Sequence, residues 1–300
     1  MSTVHVRVPG KVNLALRVGD TDPDGYHRLG TIFQAVSLCD EITVTDLPAG
    51  EFRLAFVGEG AGFLPVDDTN LAMRAAKLVA SHFEVPDAGA AITIRKRIPV
   101  AGGMAGGSAD AAGTLLACSE LWGVRASRET LRELASQLGS DVPFLLVGGT
   151  VHGTGRGIDI EPIPVRGTYH WVFALSHHGL STPTVFREFD RLFDPNPTDL
   201  PEPLVDALLA GILPDVARHL VNDLQPAALS LQPNLQHTLQ CGLDHGALGA
   251  IVSGSGPTCA FLTESDEDAA RLGDELAVFS GVRTVRLATG PVAGAQVVQE

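Results

Sequence analysis

The sequence predicts an α+β protein of two domains, and three observations carry that expectation. The chain has 300 residues, more than the ~100–200 of a usual single domain. Hydrophobic residues make up 45% and charged residues 19%, a balance that builds cores and excludes a disordered chain. Strand-period and helix-period segments alternate along the chain, and the composition shifts near residue 165 towards aromatic, strand-like residues and then prolines. The expected domains are 1–165 and 166–300.

Val4, Val6 and Val8 alternate with His5 and Arg7, the pattern of a half-buried strand. Pro9-Gly10 is expected to interrupt it before Lys11-Val-Asn-Leu-Ala-Leu resumes, which puts Lys11 just past a break. Asp20 to His27 reads as a polar loop with a turn at Pro23-Asp24-Gly25. Strands follow at Ile42–Thr45 and Phe52–Val57. Asp68-Thr69 is suited to cap a helix over about Leu71 to Phe83, with Leu71, Ala75, Leu78 and Val79 on one face. Ile92 and Ile94 mark a strand that ends at Pro99. A glycine-rich turn then runs into a helix carrying Ala111, Leu115, Cys118 and Trp122, closed by Gly123. Ser127 opens a helix that ends near Gly139, and Asp141 falls at an expected helix-to-strand junction.

Beyond the boundary, Tyr169–Leu175 reads as a strand and is followed by helices. A strand at Leu248–Ser253, a tight turn Gly254-Ser-Gly-Pro-Thr, a strand Cys259–Thr263, a helix about Glu267–Phe279 and a strand Val282–Ala288 complete the chain. Cys39, Cys118, Cys241 and Cys259 form no close pair, so they read as buried thiols, with neither a disulfide framework nor a zinc site. No apolar run approaches the ~20 residues that span a bilayer, and the strand-like start is unlike a signal peptide, so a cytoplasmic protein without a membrane partner is expected.

The 35 acidic residues exceed the 21 Lys and Arg, giving a formal net charge of −14. Nonspecific binding to a phosphate backbone relies on Lys and Arg releasing counterions, so no nucleic-acid partner is expected. Small anions stay open, because a backbone-amide nest is a local anion site whatever the total charge. Strand, glycine turn and helix start in succession make such a site: glycines admit the anion closely and the helix N-terminus adds roughly half a positive charge. Gly102, Gly103, Gly106 and Gly107 suit it, yet the turn fits neither the P-loop nor the dinucleotide fingerprint. Taken alone, a tight surface loop is an equal reading.

Three segments together resemble the motifs of the GHMP small-molecule kinases. Pro9-Gly-Lys-Val-Asn-Leu resembles the first motif, Pro99-Val-Ala-Gly-Gly-Met-Ala-Gly-Gly-Ser-Ala-Asp-Ala-Ala the second, and Ile251-Val-Ser-Gly-Ser-Gly-Pro-Thr the third. They occur in order from residue 9 to residue 258. The resemblance implies a two-domain GHMP kinase fold, with a ribosomal protein S5 domain 2-like N-terminal domain, a ferredoxin-like C-terminal domain and the active site in the cleft between them. Lys11-Val-Asn-Leu-Ala-Leu, Asp24-Gly-Tyr-His, Gly139-Ser-Asp-Val-Pro-Phe and Thr182-Pro-Thr-Val-Phe further resemble the branch that phosphorylates a cytidine-diphosphate-linked tetritol on the non-mevalonate route to isoprenoids. A cytosine head needs an aromatic face and hydrogen-bond partners for its edge.

The resemblance implies roles residue by residue. Asp141 accepts the proton of the acceptor hydroxyl or orients that hydroxyl, and Lys11 neutralises developing charge; a nearby lysine weakens a carboxylate as a base, so both readings of Asp141 stay open beside a plain helix or turn cap. Asn13 faces the same side as Lys11 and either contacts substrate or ties down the first loop. Tyr26 and Phe186 sandwich or flank the pyrimidine, with core filling the other reading of Phe186; His27 bonds its edge through side chain or backbone, and Thr182 caps a helix or touches the ligand. Pro99, Val100, Ala101, Gly102, Gly103, Met104, Ala105, Gly106, Gly107 and Ser108 wrap the phosphates of ATP, the co-substrate. Asn70 and Lys96 are candidates for adenine or ribose, with a solvated face an equal reading of Lys96. Gly106 and Gly107 stand where many members carry two serines, so a serine ligand for magnesium is in doubt and Mg2+ is expected to ride on the phosphates. Ala105 and Ala109 depart from the branch, which favours Gly and Ser there. The expected partners are ATP and the cytidine-diphosphate-linked small molecule, and the expected state is a monomer or weak homodimer.

Overall fold

Two long antiparallel strands, β1 (Thr3–Thr21) and β2 (His27–Asp46), organise the first half of the chain. In this computed structural model residues 2–23, 25–195 and 197–298 are described. β1 runs straight through Pro9-Gly10, where its register against β2 shifts. The expected break is therefore a bulge, the place in a ladder where a missing proline N–H is tolerated. β2 starts well before the expected Ile42, because residues 30–36 are buried on both faces and show no alternation. Asp24 of the expected Pro23-Asp24-Gly25 turn lies outside the described residues.

β3 (Phe52–Gly58) crosses over through α1 (Leu71–His82) to lie parallel to β4 (Ala90–Lys96), which pairs with β2. The cap of α1 is Asn70, whose Oδ1 accepts from Ala72 N at 2.9 Å, and not Asp68-Thr69. Asp67 takes the amide and hydroxyl of Thr69 at 2.9 and 2.6 Å, so a turn precedes the helix and moves its start to Asn70. α2 (Gly106–Leu121) packs on β1 and β2, and a Cβ at Gly113 would lie 2.6 Å from Ile42 Cδ1, so the helix lies close against the sheet and a larger residue there would displace the Ile42 side chain. Ser127 caps α3 (Arg128–Ser136), accepting from Thr130 N at 3.0 Å. Asp141 then opens a helix, α4 (Val142–Val147), where a strand was expected. A short apolar run does not distinguish the two by period, and Pro143 in the first turn favours a helix start. β5 (Thr150–Thr154) pairs with β2, and β6 (Asp159–Pro162) pairs with β5.

The second half holds β7 (Tyr169–Leu175), then α5 (Thr182–Leu192), α6 (Glu202–Ala210), α7 (Leu213–Arg218), β8 (Val221–Asn222), α8 (Gln225–Leu231) and α9 (Asn234–Asp244). β9 (Gly249–Val252), β10 (Cys259–Thr263), α10 (Asp266–Ala277) and β11 (Thr284–Gly290) complete an antiparallel sheet in the order β11-β7-β10-β9. The last strand, β12 (Gln296–Val298), returns to β1, as does β8, so the first sheet receives strands from both halves. Buried Trp171 of β7 donates to Gln34 of β2 at 2.9 Å and fixes one sheet against the other. The four cysteines are free; Cys118 and Cys259 are buried as expected, while Cys39 and Cys241 are only partly so. Among the described residues no helix is long and apolar enough to cross a membrane.

Candidate active site

The loop between β4 and α2 turns back on itself through left-handed residues, with φ of 51° at Ala101, 74° at Gly103 and 59° at Ala105. Ala105 sits at the N-cap of α2 with no side chain capping the helix, which leaves its first-turn amides facing outward. A non-glycine residue there costs about 1–2 kcal/mol. The loop forms one wall of a cavity of about 610 Å³ whose other walls come from β1, the start of α4, the start of α5 and the β9–β10 turn.

Lys11 projects from β1 into this cavity with only 4% of its surface exposed. Its ammonium donates to Asn13 Oδ1 and, at 2.9 Å, to the Gly103 carbonyl, and it lies 5.7 Å from the centre of the Phe33 ring. The same carbonyl accepts from Ser253 Oγ at 3.1 Å. One oxygen of the glycine loop thus joins the first and third motifs, 92 and 150 residues away. Burial lowers the Lys11 pKa, and the Asp141 carboxylate works against that by favouring the charged form. Asp141 occupies the N-cap position of α4 yet makes no capping bond, so the cap reading of this residue fails and its carboxylate lines the cavity.

The family description "GHMP kinases N terminal domain" matches residues 70–149 and "GHMP kinases C terminal" matches residues 204–280. The chain is 56% identical over 302 residues to the 4-diphosphocytidyl-2-C-methyl-D-erythritol kinase of Mycolicibacterium smegmatis, covering 99% of this chain and 92% of that one. The chain belongs to the GHMP kinases. The kinase of the same name from Mycobacterium tuberculosis is 53% identical over 300 residues, covering 99% and 93% of the two chains. A crystal structure of 4-(cytidine 5'-diphospho)-2C-methyl-D-erythritol kinase superposes with a TM-score of 0.77 at 34% identity, covering 95% of this chain and 98% of that one. The mevalonate kinase of L. major in complex with R-mevalonate shares the fold alone, with a TM-score of 0.73 at 17% identity, covering 98% and 97% of the two chains. The two-sheet α+β architecture is therefore the GHMP kinase fold.

In this kinase the cavity gathers Lys11, Asn13, Asn70, Lys96, Asp141, Thr182 and Phe186 with the residues of the glycine loop, among which Met104 is buried behind the loop. Asn13 ties the site together: it accepts from Lys11 and donates to Thr31 Oγ1 at 2.9 Å. Thr182 Oγ1 pairs with Ser255 Oγ at 2.9 Å, and the cap position of α5 belongs to Ser181, so Thr182 is no helix cap. Tyr26 and His27 stand outside the cavity wall. Tyr26 is 60% exposed, with the Arg156 guanidinium 4.5 Å from its ring centre. His27 stacks on Phe186 at 5.3 Å, while its Nδ1 donates to the Gly19 carbonyl at 2.8 Å and its Nε2 lies 3.0 Å from Asp190 Oδ1. Its ring edge is thus already occupied by the protein, which leaves its backbone for any pyrimidine contact.

Lys96 is also committed within the protein. Its ammonium donates to Asp40 Oδ2, to Asp110 Oδ2 at 2.8 Å and to the Gly106 carbonyl at 3.1 Å, using all three protons. An adenine or ribose contact from this ammonium would have to break one of these bonds. The sequence reading missed Asp40 and Asp110 as its partners. Asp110 lay inside the second motif without a role, and Asp40 gave no signal because the pairing spans 56 residues. Phe33, which faces Lys11, lies in the doubly buried stretch of β2 where no alternation marked it.

Proposed function

We propose that this enzyme transfers the γ-phosphoryl group of ATP to the 2-hydroxyl of 4-diphosphocytidyl-2-C-methyl-D-erythritol, giving the 2-phosphate and ADP, in isopentenyl diphosphate biosynthesis. The identity of 56% over 99% of the chain to a kinase of that name carries this conclusion. The cavity supports it, because it sets a helix N-terminus with free amides beside a buried lysine and an uncapped carboxylate.

Phosphoryl transfer asks a protein mainly for positioning and charge stabilisation, since the transition state is loose. ATP lies with its phosphates along residues 99–108, where outward amides and the α2 dipole meet the β- and γ-oxygens. The tetritol hydroxyl sits between Asp141 and Lys11. Its oxygen bonds to the γ-phosphorus as the bridging P–O bond to ADP breaks, and its proton passes to Asp141. Lys11 meets the charge on the transferring group, while its bonds to Asn13 and Gly103 keep it in place. Phe186, backed by His27, offers the cytosine an aromatic face.

Among the described residues no cluster of three or more His, Cys, Asp or Glu side chains could hold a metal ion. Magnesium fits here as an ion carried on the ATP phosphates, where it would neutralise part of their charge. The four free cysteines suit a reducing cytoplasm.

Incubation of the purified protein with MgATP and the cytidine substrate tests the function. ADP and the 2-phosphate should form together, and CMP should inhibit by competing with the cytidine substrate. A protein that makes neither product is not this kinase. Phe186→Ala should raise KM for the cytidine substrate about tenfold, the loss of a stacked aromatic face, with KM for ATP little changed. A rise in KM for ATP instead would place Phe186 on the nucleotide side.

A further inference from the structure

Beneath the phosphate loop, two carboxyl groups and one ammonium are buried together. Lys96, Asp40 and Asp110 show side-chain exposures of 2%, 0% and 5%. The two acids are not equivalent. Asp40 is fully engaged, with Oδ1 accepting from the amides of Arg97 and Ile98 at 2.6 and 2.9 Å and Oδ2 from Lys96. Asp110 accepts from Lys96 at Oδ2, its carboxyl also meets that of Asp40, and its buried Oδ1 has no partner among the described residues. A carboxylate with a buried oxygen that accepts no hydrogen bond from the protein is costly, whereas a neutral carboxyl is far less so.

Among the described residues no other charge balances the second acid. Lys96 on β4 and Asp40 on β2 are the charged groups that act on Asp110. Of the other elements packed on α2, α1 carries Arg74, Lys77 and His82 and α3 carries Arg128, Glu129, Arg132 and Glu133, all exposed. On β1 and at the head of α4, Lys11 and Asp141 act on each other across the cleft. β12 has no titratable side chain.

We propose that Asp110 is a positioning residue that works in its neutral form: it braces Lys96, and through it the Gly106 carbonyl at the start of α2, without placing a negative charge behind the amides that receive the ATP phosphates. The inference rests on the ATP-site reading given above for that last clause alone. Burial pushes the Asp110 carboxyl up to about 8, with the Asp40 charge adding to the rise and Lys96 opposing it. Burial also works to lower the Lys96 pKa, and the Asp40 carboxylate paired with it works to raise it, so the ammonium keeps its charge beside that one carboxylate. One positive charge, one negative charge and one neutral acid make the cluster electrically balanced.

The sign for stability follows from linkage. An acid whose folded pKa lies above its unfolded value holds a proton in the folded state that the unfolded chain has released, so its contribution to stability falls as pH rises from about 4 to about 8. Asp110→Asn, which mimics the neutral acid, should therefore melt higher than the parent at pH 8, with the advantage shrinking towards pH 5. Asp40→Asn removes the charge that holds two amides and Lys96, and should melt lower at both pH values. These melting measurements require no ligand, so they stand even if the protein proves to bind something other than ATP.

Calorimetric titration with MgADP between pH 7.5 and 9.5 tests the link to the phosphate site. The parent should lose affinity on the order of fivefold across that range as one negative charge appears near the bound phosphates, and Asp110→Asn should lose most of that dependence. A lower melting temperature for Asp110→Asn at pH 8 overturns the neutral form. The same pH dependence of MgADP binding in both proteins overturns the link to the phosphates.

Discussion

Asp141→Asn is expected to lower kcat by about 100-fold or more, within the range that a positioned general base contributes, while leaving the affinity for ATP within about twofold. The expectation comes from geometry. Asp141 stands at the head of α4 without capping it, so an amide there takes nothing from the fold, and the phosphate loop lies on another wall of the cavity. The amide can still orient a hydroxyl but accepts no proton at neutral pH, so the size of the loss separates the two roles. A fall of only a few-fold would make Asp141 an orienting group, with the proton leaving late in a loose transition state. Lys11 supplies an independent readout. Asp141 favours the charged form of this lysine against burial, so removing the carboxylate lowers the Lys11 pKa further. The alkaline limb of the residual kcat/KM profile should then move to lower pH, and an unmoved limb would mean that Lys11 is not the group titrating there.

What the sequence revealed and what it concealed divide on locality. The glycine turn, the Ser127 cap and the short strands of the second sheet were legible because each is specified by residues within a few positions of one another. The ends of β1 and β2 were not, since alternation vanishes where both faces are buried and since the break at Pro9-Gly10 is absorbed by a bulge. The helix after Asp141 was misread for a related reason: six consecutive apolar residues, four of them buried, fit a strand or a helix equally, and packing against α2 and α3 accompanies the helix. Within the site, residue identities were readable from the motifs, but their pairings were not. Lys96, read as an adenine or ribose candidate or as part of a solvated face, is instead buried and paired with Asp40, far away on β2. His27, read as bonding the pyrimidine edge through side chain or backbone, has its two ring nitrogens on Gly19 and Asp190.

Two glycines of the phosphate loop should behave in opposite ways when each is changed to alanine, because one faces protein and the other faces open space. A Cβ on Gly103 would lie 1.9 Å from the Ser253 carbonyl oxygen and 3.1 Å from Gly256 N, at a φ of +74°. Both obstacles are backbone, so the third motif must retreat from the second. Left-handed strain of about 1–2 kcal/mol and overpacking of about 1–3 kcal/mol together predict a loss of roughly 2–5 kcal/mol, with a clearly lower Tm. Because the Gly103 carbonyl holds both Lys11 and Ser253, its displacement should also lower kcat. Gly107 has nothing within 4 Å of its virtual Cβ and lies in the first turn of α2. Alanine there gains up to about 1 kcal/mol of helix propensity, so Gly107→Ala should melt no lower than the parent. Its methyl group nevertheless enters the space assigned to the phosphates, and KM for ATP should rise about tenfold or more. Thermal melts and ATP kinetics on the two variants decide the matter. If Gly107→Ala binds ATP as the parent does, the phosphates do not lie against the start of α2, and the orientation of the nucleotide in this cleft is wrong.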